Sequence, residues 1–238
     1  MVPFETWNSQ PTGVIEKGVT YQQSSSFPAN IATVSDPMVF RDIVMVQVSV
    51  TPFQYNPVSK TLTVIQEIDL ELVESGATEV PYIPQQKSRE FEILYESLVV
   101  NYPSTIREGE EVYQRPSILY VLPNNIGNLL GTVEELMNWK KRVGFDVQYV
   151  STSSIVNNRN NLKNYIEDAY ETWENPPVHV TIVGDVDGSY DIPTWNESYS
   201  GYSGEGDMPY TTLEGNDVYP EVFIGRMSFS TSSHLNLS

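Results

Sequence analysis

Cysteine is absent from all 238 residues. Disulfides, thiolate-bound metals and a cysteine nucleophile supplied by these residues are therefore excluded. Basic residues are scarce, 13 Lys and Arg against 31 Asp and Glu, for a formal net charge of -18. That balance argues against nucleic acid or an anionic membrane face as partner and favours cations. Long apolar runs are missing as well: none approaches the ~18 residues of a membrane-spanning helix. Met1-Val2-Pro3 has neither the basic nor the apolar region of a secretory signal, so an exported protein would carry its signal outside this chain.

What is present divides in two. Residues 1–75 read as β-rich: Val44, Val46, Val48 and Val50 alternate with Met45, Gln47 and Ser49, and Leu62, Val64, Ile68, Leu70 and Leu72 with Thr63, Glu67, Asp69 and Glu71. Asn56-Pro57, followed by Ser59-Lys60, predicts a turn joining the two runs as one long hairpin. Residues 76–115 form a connector. Phe91, Leu94, Tyr95 and Leu98 mark one face of a helix in it, and an acidic linker runs from Thr105 to Gln114.

Residues 116–238 switch to strand-helix alternation. Ser117 to Leu122 is a nearly continuous apolar run, as a strand covered on both faces would be. Helix is predicted over 126–143 with Gly144 as its stop, strand over 145–150, and helix through Leu162, Tyr165, Ile166, Ala169, Tyr170 and Trp173. A third strand over 178–183 ends at Gly184-Asp185. Strands separated by single helices imply a parallel sheet with its functional loops at the strands' carboxyl ends, where Asp185 sits.

No Lys or Arg occurs between Lys163 and Arg226, while nine acids fall from Asp185 to Glu221 in a glycine-rich stretch. Composition alone reads this first as a solvated acidic loop. The alternative is a site for a hard divalent cation, since calcium takes carboxylate and carbonyl oxygens from flexible loops. An extended backbone would put Asp217, Tyr219 and Glu221 on one side, with both carboxylates converging beside Asp185.

Catalytic candidates are few. His179 lies inside an apolar strand and reads as a core or strand-end residue, and His234 as part of a frayed polar tail. Its neighbour Ser233 lacks the through-space pairing of a nucleophile and base, which excludes a serine triad. Tyr190, Trp195, Tyr199, Tyr202 and Tyr210 either line a groove or pack their loop down.

Several segments together resemble one known family. They are Pro52 to Pro57 with Leu62-Thr-Val64, Met137 to Val147, Tyr165 to Trp173, Val180 to Asp187 with Ile192-Pro193, and Gly215-Asn-Asp-Val-Tyr-Pro-Glu-Val-Phe-Ile-Gly-Arg226. The set is similar to the gingipain family of cysteine endopeptidases, relatives of the caspases. The resemblance implies an α/β fold: an antiparallel β prodomain, then a Rossmann-like or caspase-like parallel sheet, here expected to be truncated. It also implies structural calcium, held by the side chains of Asp185, Asp217 and Glu221 and the main-chain oxygens of Glu214 and Tyr219. The family's His-Gly and cysteine motifs have no counterpart here, so no catalytic residue is assigned. By this resemblance the chain is expected to be a fragment of a secreted or cell-surface bacterial endopeptidase, inactive alone. Its partners would be the remaining catalytic half of the polypeptide and a protein or peptide substrate, and Arg107-Glu108 is the candidate maturation site. The alternative is a non-enzymatic calcium-stabilised surface or secretion module.

Overall fold

The structure, a computed structural model, describes residues 18–73, 85–102, 113–199 and 201–235. Arg107-Glu108 and most of the acidic linker lie outside the described residues. The chain forms two compact units. One takes residues 1–37 and 46–79; the other takes Met38–Met45 and everything from Val80 on.

The first unit is built from short antiparallel pairs. β1 (Ala32–Val34) pairs with β4 (Val48–Val50), and β5 (Phe53–Asn56) with β6 (Thr61–Val64). The turn expected at Asn56-Pro57 is present: the Asn56 side-chain oxygen accepts from the amides of Val58 and Ser59, both at 3.1 Å. It joins β5 to β6 and not the two longer runs, because β6 ends at Val64 and residues 65–73 carry no strand.

The valine run is also split. β2 (Met38–Phe40) and β3 (Ile43–Met45) form a hairpin inside the second unit, while β4 belongs to the first. Alternation alone cannot show such a break, because both halves keep the same period.

In the second unit, α1 (Arg89–Leu98) turns Phe91 and Tyr95 inward. β7 (Ser117–Leu122), α2 (Leu130–Arg142), β8 (Asp146–Ser151), the short α3 (Thr152–Ile155), α4 (Arg159–Thr172) and β9 (His179–Val183) then alternate. After the hairpin of β10 (Trp195–Tyr199) and β11 (Tyr202–Gly206), β12 (Phe223–Met227) completes a sheet of order β12-β9-β7-β8, parallel throughout. The protein is thus α/β, with antiparallel pairs in its N-terminal part and a four-stranded parallel sheet after them.

β7 is buried at every position because its two faces meet different helices. Leu119 and Val121 pack with Leu162, Ile166, Ala169 and Tyr170 of α4. Ile118, Tyr120 and Leu122 pack with Val133 and Met137 of α2. Period 2 in the strand thereby sorts helices onto opposite faces, each buried aliphatic contributing roughly 1.5–3 kcal/mol.

Local signals set the helix ends. The Asn158 side chain accepts from the amides of Asn160 and Asn161 to cap α4. Gly144, at φ +103, ends the turn after α2 in a conformation that suits glycine. At the C-terminal end, the tail expected to fray forms one helical turn, α5 (Ser232–Leu235), because Leu235 is buried with Phe229 against the α2 face.

Candidate metal centre

β9 and β12 lie side by side and run parallel, so the loop that leaves β9 and the loop that enters β12 stand at opposite ends of the sheet. The first begins at Gly184, whose φ is +150 and where any Cβ would collide with the carbonyl oxygen of Tyr190. Only glycine lets the chain turn that tightly back on itself.

Asp185 comes next. Its Oδ1 accepts from the Val186 amide at 2.9 Å, and its main-chain oxygen accepts from the Ile192 amide and from Arg226. Arg226 is the organiser of this loop. It grips Asp207 with two parallel bonds of 2.8 and 2.7 Å, and its third nitrogen donates to the carbonyls of Gly184, Asp185 and Ile192. Burial pushes the Asp207 carboxyl up, but the bonds from Arg226 and Thr194 and the guanidinium charge outweigh that and hold it below the usual range.

Residues 213–222 form the second loop. They are bent and not extended, so the same-side argument for Asp217, Tyr219 and Glu221 does not describe them. The carboxylates fold back onto main-chain amides instead. Asp217 Oδ1 accepts from Tyr219 N at 2.9 Å, and its Oδ2 from Val39 N at 2.9 Å. Glu221 Oε2 accepts from Leu213 N at 2.6 Å and more weakly from Glu214 N at 3.3 Å. Glu214, also buried, accepts from the Tyr170 hydroxyl at 2.8 Å. Tyr219 lays its ring against Phe40, centroids 5.2 Å apart.

Glu221 is the exceptional group. It is wholly inaccessible to solvent, and its Oε1 has no hydrogen-bond partner among the described residues. Burial pushes its carboxyl up to about 7; the amides of Leu213 and Glu214 pull it down, and the carboxylates of Asp217 and Glu214 push it up again. An orphaned buried carboxylate oxygen beside two more acids is a donor set that fits a hard cation. Among the described residues, however, no three acidic or histidine side chains are grouped to hold a metal by themselves. Main-chain oxygens would have to complete any shell.

Of the five residues expected to bind metal, Glu214, Asp217 and Glu221 share one acidic turn before β12 and Tyr219 belongs to it through its backbone, whereas Asp185 follows β9 at the other end of the sheet, where its hydrogen bonds run to Val186, Ile192 and Arg226. The other candidates settle into packing roles. His179 stacks on Phe223 at 5.4 Å, Tyr190 packs on Phe229, and Trp195 meets the buried Tyr210 edge-on at 4.5 Å. The side chains of Tyr199 and Tyr202 lie outside the described residues.

Sequence reasoning missed Arg41 entirely. It is fully buried, and its guanidinium donates to the Glu221 main-chain oxygen at this same turn. Arginine at a hairpin turn is ordinarily solvent-exposed, so no signal marked it.

The sequence model of Peptidase family C25 matches residues 112–237, just over half the chain, and that of the C25 propeptide matches residues 8–119. Gingipain R2 of Porphyromonas gingivalis is 30% identical over 223 residues, covering 92% of this chain and 29% of that protein. Lys-gingipain of the same species is 25% identical over 213 residues, covering 82% of this chain and 11% of that one. A crystal structure of the Arg-specific cysteine proteinase gingipain R is 26% identical over 55% of this chain and 28% of its own, with a TM-score of 0.43. The chain spans less than a third of the length of these curated relatives. No helix among the described residues is long and apolar enough to cross a membrane. With a propeptide match over its N-terminal part and the peptidase match over its parallel sheet, the chain belongs to Peptidase family C25, the gingipains.

Proposed function

We propose that these residues are the propeptide and the supporting half of a secreted bacterial cysteine endopeptidase. In it, a thiolate attacks the scissile carbonyl with an imidazole as base, and both groups come from outside the 238 residues. The observation that carries this reading is the peptidase match over 112–237, which coincides with the parallel sheet and the loops at its two ends. Cleavage after Arg or Lys is the corresponding specificity, since relatives are named for each.

Within this chain, Arg226 fixes the loop after β9 through Asp207 and three carbonyls. Glu221 fixes the turn before β12, at the sheet's other end, by holding the Leu213 and Glu214 amides. Structural calcium belongs to the same proposal, with Asp217 and Glu221 as carboxylate donors and Glu214 and Tyr219 as main-chain donors; Asp185, at the other end of the sheet, is too far away to join them. When bound, it would supply positive charge to a turn that holds three acids.

Two measurements test this. The gene product that carries these residues is assayed on peptides with Arg or Lys before the scissile bond, with and without a thiol-alkylating reagent. Hydrolysis abolished by alkylation is expected; hydrolysis indifferent to alkylation, or none, overturns the peptidase reading. Thermal melting with calcium against chelator tests the metal. A midpoint several degrees lower in chelator is expected, on the order of 1–3 kcal/mol of binding energy, and an unchanged midpoint removes calcium from the proposal. A chelator-sensitive midpoint in a gene product without hydrolysis would favour a non-enzymatic calcium-stabilised module.

A further inference from the structure

The hairpin of β2 and β3 lies wholly within the propeptide match, yet it belongs to the second unit. Its tip, Arg41, is the largest side chain completely shielded from solvent among the described residues. One guanidinium nitrogen donates to the carbonyls of Pro177 (3.3 Å) and Glu221, and the other to Gln114 Oε1 at 2.7 Å. The group sits between two rings, its central carbon 5.1 Å from the Phe91 centroid and 5.4 Å from that of Tyr170.

The backbone is held as well. The Arg41 carbonyl accepts from the Tyr170 hydroxyl, and the preceding Val39 amide donates to Asp217. Pro177, Glu221, Tyr170 and Asp217 all lie in the peptidase match alone. Arg41 also takes a left-handed φ of +55, a conformation that disfavours residues with a Cβ. Around it, Phe40, Phe91 and Tyr95 of the propeptide match pack with Val178, Tyr219 and Phe223 of the peptidase match.

We propose that the Met38–Met45 hairpin is the latch by which the propeptide segment docks on the peptidase segment, with Arg41 as its anchor. The receiving site on the peptidase segment is a set of main-chain oxygens with the Tyr170 ring. A planar fork of N–H donors matches it, whereas an ammonium matches it poorly. The latch contacts Asp217 and Glu221 directly, so it clamps the acidic turn while it is seated. Because every contact is noncovalent, cutting the chain between residues 103 and 112 leaves the propeptide piece bound.

The proposal rests on the family assignment of the two segments but not on hydrolytic activity. Its test reads binding alone. A specific protease site is placed between residues 103 and 112 of the full chain, and the cut protein is passed over a size-exclusion column across a dilution series. The two pieces of the native sequence are expected to co-elute. Arg41→Gly keeps the left-handed turn but deletes the anchor, and should weaken association by about tenfold or more; Arg41→Lys should fall between the two. Hydrogen exchange before cutting must show the β7 and β9 amides of Arg41→Gly still protected. Association weakened by less than tenfold overturns the latch, and so does loss of that protection, which would make Arg41 a general core residue. A gene product without hydrolysis would sink the peptidase reading and leave this result standing.

Discussion

The two units of this chain share a strand-forming vocabulary and use it in opposite ways. Among the described residues of the first unit none is buried, and its alternating Val48, Val50, Leu62 and Val64 stand at 37 to 57% exposure. In the second unit every residue of β7 is buried, and three clusters of buried side chains surround the sheet. The difference lies in what each strand has on its faces. A two-stranded pair of three or four residues per strand has no second layer to close against, whereas a parallel sheet between helices has two. Alternating apolar residues report the pleat of a strand, and burial occurs only where another layer arrives.

The largest expected effect is the most direct way to break that comparison. Leu119→Ala removes a wholly buried side chain between β7 and α4 and should cost about 2–5 kcal/mol, the range for cavities in packed cores. Val50→Ala, at a half-exposed position of β4, should stay within about 0.5 kcal/mol. Urea unfolding of both variants decides the matter. Equal losses would mean that β4 is as well covered as β7.

Burial in the second unit also carries a penalty that pH exposes. In calcium-free solution the Glu221 carboxyl titrates near 7 when folded, against an ordinary value of 4.5, because the buried site disfavours the ionised form. Between those values the folded state holds more protons than the unfolded, so stability is greatest near pH 4.5, falls as pH rises, and levels off above about 7. The amplitude is on the order of 3 kcal/mol at most. Glu221→Gln should flatten the curve, measured as denaturant midpoints from pH 4.5 to 7.5 with chelator present. A native curve that rises with pH would show that the orphaned oxygen is compensated by something else.

These effects also separate what could be read from residue order from what could not. β7, α2, β8, α4 and β9 were legible because each combines a continuous or 3.6-period apolar pattern with a physical stop, Gly144, Pro176-Pro177 or Gly184. The acidic turn was legible as a charge imbalance, and Glu214, Asp217 and Glu221 do crowd there. Its bent backbone was not, because a carboxylate's choice between solvent and a nearby amide depends on tertiary burial. Least legible was the division of Val44 to Val50 between two units. No glycine or proline interrupts the chain between Met45 and Val48, and what draws β2 and β3 into the second unit is an arginine whose partners lie 73 to 180 residues away.

The smallest expected effect sharpens the comparison furthest, because it sets the same backbone conformation in both units. Lys60 closes the β5–β6 turn of the first unit at φ +56, and Arg41 closes the β2–β3 turn of the second at φ +55. Glycine relieves the left-handed strain at either position, a gain of about 0.5–1 kcal/mol where nothing else changes. At Lys60 nothing else should change: the residue is exposed, and Asn56 already holds the turn through the Val58 and Ser59 amides. Lys60→Gly should therefore raise hydrogen-exchange protection of the Thr61–Val64 amides slightly. At Arg41 the same relief is outweighed by the loss of three hydrogen bonds and two ring contacts, so Arg41→Gly should lower stability. Equal dihedral angles with opposite signs of effect would place the distinction between the units in side-chain burial and not in the backbone. If Lys60→Gly also destabilised, the Lys60 side chain would have to make a contact that exposure conceals, and the first unit would be better packed than its surface indicates.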